Sequence, residues 1–259
     1  MSVATQPPVG TLLRTWREHR RLSQLELAGD AEISTRHLSF IETSRSKPSR
    51  DTLLKLSERL DVPLRERNRL LMAAGFAPLF SQAPLDAPVM SPVRDVLRAI
   101  LQGPFPAVVV DRRWTLVEAN ASALRLIGDV DPSLRTPPVN TLRLTLHPRG
   151  MAPRIVNLAQ WRAHLLDRLR REAEFSRDPQ LTALLEELRS YPGGDDDDLE
   201  IHAGELVIPL RIRDNKHELA LLGTVATFGT PVDVTVADLM VESFFPADEA
   251  TAKALTIPG

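Results

Sequence analysis

The sequence predicts a multi-domain chain: an all-α head of five short helices followed by an α+β body. Three observations carry this. Capping residues and leucine periodicity mark five successive helices between residues 10 and 80. A stretch containing Pro78, Pro84, Pro88 and Pro92, with few charges, comes next. From Phe105 the period changes to short apolar runs of strand type, interleaved with helical patterns. The expected boundaries are 1–78 for the head, 79–104 for a linker or lead-in, and 105–259 for the body.

In the first helix Leu12, Leu13 and Trp16 fall at helical spacing. Ser23-Gln24-Leu25-Glu26 is a capping box, in which the serine oxygen accepts from the Glu26 N–H and the Glu26 carboxylate reaches back to the serine N–H. A second helix therefore starts at Ser23, with Leu27 and Ala28 on its buried side. Ser34 is a good N-cap for the third, whose inner residues are Leu38 and Ile41. Pro48-Ser49 opens a fourth, with Leu53, Leu56 and Leu60 inward. Val62-Pro63 breaks the chain before a fifth, and Gly75 is placed to end it. Only a few residues separate the second and third helices. Two short helices so joined suggest a helix-turn-helix, and a plain small helical bundle fits the same pattern.

The ordered anchors decide between these. Leu22-Ser23-Gln24, Glu26-Leu27-Ala28, Ile33-Ser34, Leu38-Ser39-x-Ile41-Glu42, Arg45 and Pro48-Ser49 resemble the XRE family of phage-repressor-like helix-turn-helix proteins. The resemblance implies an operator-binding head. Gln24 would sit at the start of the first motif helix and contact a phosphate. Ser34, Thr35, Arg36 and Ser39, near the start of the recognition helix, would face the major groove, where arginine donates twice to guanine and threonine donates, accepts or packs its methyl on thymine. Arg45 and Arg50 would lie beside the DNA backbone. Arg17 and Glu42 match a family ion pair that ties the first helix to the recognition helix. The family often has glycine where this chain has Glu32 and Ser44; both positions commonly want a left-handed backbone, which costs a non-glycine residue about 1 kcal/mol.

In the body, Ala107–Asp111 reads as a strand, Arg112-Arg113 as a turn and Trp114–Glu118 as a second strand. Asn120-Ala121 leads into a helix ending at Gly128. Leu158, Trp161, Leu165 and Leu169 share one face of a long helix over 157–175, and Leu181, Leu184, Leu185 and Leu188 mark another. Strands return at Leu206–Ile212 and His217–Phe228. A helical stretch over Thr235–Phe244 and a short one over Ala247–Leu255 close the chain. Helices segregated from an antiparallel sheet make an α+β domain.

The runs Pro106–Trp114, Ala119-Asn120-Ala121, Asn140-x-Leu142-Arg143-Leu144, Phe228–Thr235 and Glu242–Asp248 resemble the MmyB-like regulators, whose C-terminal domain is a PAS-like sensor. That resemblance implies a cavity for a small, largely apolar, fatty-acid-like ligand. Trp114, Trp161 and Phe228 are candidate walls, together with Phe105, Phe175, Phe244, Phe245 and Ala121. Each aromatic fits plain core as well, and an aromatic at helical spacing is more often core than ligand wall. Asn120 or Arg154 would hold the ligand's polar end; Arg162, Arg168, Arg170 and Arg171 are alternatives for an anionic group.

Composition bounds the rest. Net charge is -2. Residues 10–80 hold 13 Lys/Arg against 9 Asp/Glu, so a basic head precedes an acidic body. There is no cysteine, which excludes disulfides, thiolate metal sites and cysteine nucleophiles. No HExxH, GxSxG, Walker or GxGxxG pattern occurs, so no enzyme activity, cofactor or metal is expected. The acidic run Asp195–Asp198, with Glu200 and His202 nearby, lacks the spaced ligands of a calcium loop and reads as a solvated loop. With no apolar run of about 20 residues and no secretory start, a cytoplasmic protein without membrane contact is the simplest reading. The expectation is a ligand-responsive regulator acting on double-stranded operator DNA as a homodimer. The alternative is a small-molecule carrier or enzyme with a helical protein-interaction head.

Overall fold

The structure is a computed structural model that describes residues 7–128, 130–193, 207–214 and 217–256; the acidic run and His202 lie outside the described residues. The chain divides into two compact units. The first comprises Met1–Pro84 and Thr230–Ala237, the second Leu85–Gly229 and Asp238–Gly259.

The first unit holds five helices, α1 Val9–His19, α2 Gln24–Asp30, α3 Thr35–Glu42, α4 Arg50–Arg59 and α5 Leu64–Ala73. Local chemistry starts three of them. The Ser23 capping box is complete at α2, Ser34 Oγ accepts from the His37 N–H at α3, and Ser49 Oγ accepts from the Thr52 N–H at α4. All five stop in one way. Residues Arg21, Glu32, Ser44, Asp61 and Gly75 take left-handed φ values of 57, 56, 59, 46 and 87°. The next N–H then reaches back into the helix, from Leu22 to Arg17 O, Ile33 to Ala28 O, Arg45 to Phe40 O, Val62 to Ser57 O and Phe76 to Leu71 O, at 2.8–3.1 Å. Glu32 and Ser44 thus adopt the backbone expected of them. The helices enclose Leu13, Trp16, Leu27, Leu38, Ile41, Leu53, Leu56, Leu60, Leu70 and Leu71.

Two features of this unit escape the sequence patterns. A Cβ on Gly10 would lie 2.1 Å from Ile41 O and 2.9 Å from Glu42 O, so α1 meets the end of α3 at a distance only glycine permits. The segment Thr230–Ala237 also belongs here. Asp233 accepts from Ser81 Oγ (2.5 Å) and the Ala83 N–H (3.1 Å), and the Val234 N–H donates to Ser81 O (2.8 Å).

The second unit begins with α6, Ser91–Leu101, within the stretch expected to be linker. Pro92 stands in the first turn of this helix, where a missing N–H costs nothing. There follow β1 Ala107–Val110, β2 Leu116–Ala119, α7 Ala121–Ile127, α8 Thr141–Leu146, α9 Leu158–Ser176, α10 Pro179–Arg189, β3 Leu210–Asp214 and β4 His217–Thr227. The short helix α11, Val234–Ala237, is the one inside the first unit; β5 Met240–Pro246 and α12 Glu249–Thr256 complete the chain. The strands form one antiparallel sheet in the order β2-β1-β5-β4-β3. Val109 and Val241 pair on one face and pack with Leu97 of α6. On the β3–β4 side, Leu210, Ile212, Leu219 and Leu221 join Trp161, Leu165 and Leu169 of α9 and Leu181, Leu184 and Leu188 of α10.

Two expected elements differ. The helix expected over Thr235–Phe244 is α11 followed by β5, because residues 240–246 pair with β1 and β4 at the centre of the sheet. Trp114 lies in the turn, not in a strand. Its φ is 64° and its N–H donates to Asp111 O, an unusual backbone for a bulky residue.

Candidate functional site

In the head, α2 and α3 pack together as the sequence motif requires, and α1 packs on α3. Arg17 and Glu42 form the expected pair. Arg17 Nε and Nη2 donate to Glu42 Oε1 and Oε2 at 2.7 and 2.9 Å, and Arg17 Nη1 donates to Leu22 O at 2.8 Å. The hydrogen bonds from Arg17 to Glu42 hold the guanidinium pKa above its usual value against the opposing effect of burial. Gln24 is drawn into the same cluster. Its Nε2 donates to Glu42 Oε2 at 2.7 Å, which fixes the side chain at the start of α2 and leaves one N–H of the amide as a further donor.

Ser34 and Arg36 are exposed at the start of α3, and Thr35 and Ser39 are half-buried. Ser34 Oγ is taken up by its capping bond. The Arg36 guanidinium lies 5.3 Å from the Phe40 ring centroid, a contact that restrains a long side chain on the helix surface. Arg45 and Arg50 are exposed, on the loop after α3 and at the first residue of α4. Lys47, which the sequence reasoning passed over, is exposed on the same loop. Among the described residues no carboxylate pairs with Arg36, Arg45, Lys47 or Arg50. Four uncompensated cations on and around α3 make this an electropositive surface.

In the second unit two hollows adjoin. A cavity of about 70 Å³ is lined mainly by apolar groups, among them Val108, Ala123, Leu126, Leu142, Met151 and Leu210. A cleft of about 400 Å³ is lined by His164, Arg168, Ile208, Gly223, Thr224 and Val225, among others. Trp161, Leu165, Glu242 and Phe244 border both. Gly223 leaves space here; a Cβ on it would stand 3.6 Å from the Phe244 ring and 3.9 Å from Trp161.

The expected ligand-binding residues divide. Trp161 is a wall of both hollows, while Trp114 and Phe228 line neither. Trp114 is buried beneath Arg168, whose guanidinium lies 4.3 Å from its ring centroid, and Phe228 packs beside Leu97 and Val241. Ala123, not the exposed Ala121, faces the cavity. Asn120 is committed to the fold. Its Oδ1 accepts from the Ala107 and Ala123 N–H groups and its Nδ2 donates to Phe105 O and Gly103 O. Arg154 donates to Leu126 O and Ile127 O at the end of α7. Arg162 likewise donates to Arg189 O at the end of α10. Arg170 and Arg171 pair with Asp167 on the surface of α9.

Arg168 is the arginine that borders the cleft. Its partner there is Glu242, which sequence reasoning missed as a site residue. Glu242 lies opposite Val108 of β1 and Val225 of β4. Arg168 Nη1 donates to Glu242 Oε1 at 2.5 Å. Burial pushes the Glu242 carboxyl up against the lowering effect of Arg168. Burial, with Arg168 and Arg171 nearby, pushes His164 down. No cluster of three or more metal-ligating side chains occurs among the described residues, and none of their helices is long and apolar enough to cross a membrane.

These features agree with sequence comparison. The family model described as the MmyB-like transcription regulator ligand binding domain matches residues 91–257, and the one described as helix-turn-helix matches residues 13–67. Curated relatives include uncharacterized HTH-type transcriptional regulators from Mycobacterium tuberculosis strain H37Rv and from Mycobacterium bovis. Each is 30% identical over 159 residues, covering 59% of this chain and 59% of the relative. The chain thus spans somewhat over half the length of these relatives.

Proposed function

We propose, because this chain belongs to the family of MmyB-like transcription regulators with a helix-turn-helix head, that it binds operator DNA and that a small, mostly apolar, fatty-acid-like ligand modulates this binding. The supporting observation is one chain that carries both parts: uncompensated cations around α3, and an apolar hollow within the region matching the ligand-binding domain. Thr35, Arg36 and Ser39 read bases from the start of α3. Arg45, Lys47 and Arg50 contact phosphates, and Gln24, one of whose Nε2 N–H groups is given to Glu42, donates the other to the DNA backbone. Two copies of the protein bind as a homodimer across half-sites about one helical turn apart, or a multiple of that.

A ligand changes operator affinity only through its different affinities for two states of the protein. By linkage, operator DNA then changes ligand affinity by the same factor. The test is footprinting of the full chain on its own upstream DNA, with lipid-stripped and lipid-loaded protein compared. The expected result is protection of a two-fold site with an affinity that shifts about 5–150-fold with ligand. Identical binding by the two preparations would refute ligand control, and absence of any protected site would refute the assignment to upstream DNA.

A further inference from the structure

The connection between β4 and β5 is longer than their pairing requires. Thr227 pairs directly with Met240, and neighbouring antiparallel strands are commonly joined by about two to five residues. Here residues 228–239 intervene. The middle of that connection, Thr230–Ala237, belongs to the first unit, while the strands on either side belong to the second.

Each part of the connection is fastened. In the second unit its flanks, Phe228 and Leu239, pack with Leu97 of α6 and with Val109 and Val241 of the sheet. Arg112 Nε lies 3.5 Å from Asp238 Oδ2. In the first unit Asp233 accepts from the Ser81 hydroxyl and the Ala83 N–H, Val234 is buried, and α11 packs on α5. Ser81 itself follows residues that α5 holds. Asn68 Oδ1 accepts from the Leu79 and Phe80 N–H groups, and its Nδ2 donates to Phe80 O. A short run of chain pinned at both ends to one unit and in its middle to the other has little slack.

The strands that carry this connection also wall the hollow. Gly223, Thr224 and Val225 of β4 border the cleft, as do Glu242 and Phe244 of β5. The apolar cavity measures about 70 Å³, under half the roughly 150 Å³ that takes a benzene ring. A fatty chain therefore enters it only if its walls move, and Glu242 and Phe244 are among those walls.

Resting on the reading of this hollow as the ligand site, we infer that Thr230–Ala237 is a strap that carries ligand occupancy from β4 and β5 to the head, fastened there by the Asp233–Ser81 clasp. Movement of the two strands pulls on the ends of the strap. The strap biases α5, which packs on α1 and α4, and α1 is tied to the recognition helix through Arg17 and Glu42.

The test inserts slack. Gly-Gly-Ser is added after Gly229 and again after Ala237, which leaves the clasp and the core contacts in place; added loop length costs little. Operator affinity of the full chain, on a duplex selected from random sequence, is compared between lipid-stripped protein and protein saturated with dodecanoate. The wild-type chain is expected to show a ratio of at least about fivefold, and operator DNA should change dodecanoate affinity by the same factor. In the slack variant both ratios should fall to within about twofold of unity, while stripped protein still binds the operator and free protein still binds dodecanoate. Ser81→Ala combined with Asp233→Asn unfastens the strap without lengthening it and should lose the ratios likewise, with hydrogen exchange in α1–α4 showing a folded head. A slack variant that keeps the wild-type ratios overturns the strap and leaves ligand control standing; so does a folded, unfastened variant that keeps them. A wild-type chain whose operator affinity ignores dodecanoate overturns ligand control, and the strap falls with it.

Discussion

Glu42→Leu removes the acceptor that joins three helices of the head. The Glu42 side chain is 1% exposed and that of Arg17 10%. Glu42 receives two bonds from Arg17 and one from Gln24. In the variant the Arg17 guanidinium stays buried and keeps Leu22 O as its close acceptor. Breaking one side of a buried pair costs about 3–5 kcal/mol, against about 5–15 kcal/mol for a whole domain. At about 1.4 kcal/mol per decade, amide protection in α1–α3 should fall by two to nearly four orders of magnitude. Hydrogen exchange on the full chain, read by mass spectrometry, resolves these helices. Arg17→Met combined with Glu42→Leu removes both charges and should recover most of the loss, because a well-packed apolar pair replaces a buried ion pair at little cost. The reasoning fails if the single variant stays within tenfold of the parent, or if the double variant is as poorly protected as the single.

Gly10→Ala should destabilise the head by about 1–3 kcal/mol, since the added methyl must displace the backbone at Ile41 O; exchange in α1 and α3 rising together would show it, and unchanged protection would contradict the contact. Arg36→Ala should weaken specific DNA binding by about 1–3 kcal/mol and relax selectivity at one or two base pairs, whereas Arg45→Ala should weaken all sequences alike and lower the salt slope by about one. A selection experiment with unchanged preferences would remove Arg36 from base readout. At Asp233, burial tends to raise the carboxyl, but donation from Ser81, Ala83, Thr235 and Val236 outweighs it and leaves the pKa lowered. Its stabilising contribution is therefore complete above the ordinary carboxylate range, near pH 4, and lost as pH falls through the lower folded value. Asp233→Ala should weaken protection around Ser81 and Val234 at pH 7 and remove that acid-dependent loss; an unaltered acid profile would exclude the carboxylate as its source.

The head was legible because its signals are local. Ser23, Ser34 and Ser49 act on N–H groups within the next turn, and the leucines repeat within each helix. The expected Arg17–Glu42 pair spans more of the chain and rested on family resemblance. Signals that depend on distant pairing were harder to read. Residues 240–246 continue the apolar pattern of Val234–Leu239, and only their pairing with β1 and β4 makes them a strand. Missing that strand hid Glu242, whose importance comes from facing Arg168 of a separate helix. Pro92 read as a breaker because the same residue that ends helices also begins them. Asn120 and Arg154 read as ligand groups because a sequence does not show which backbone groups need a partner; here those partners are the ends of α7 and the first strand.

The segment carrying Asp233 gives the head an order of assembly. Residues 1–84 leave a ribosome long before 230–237, with most of the second unit made in between. The five helices can therefore form while the Ser81 hydroxyl and the Ala83 N–H still face water. Their last piece arrives only after β4 has been synthesised. A messenger cut short after residue 84 would encode every helix of the motif and still yield an unfinished head.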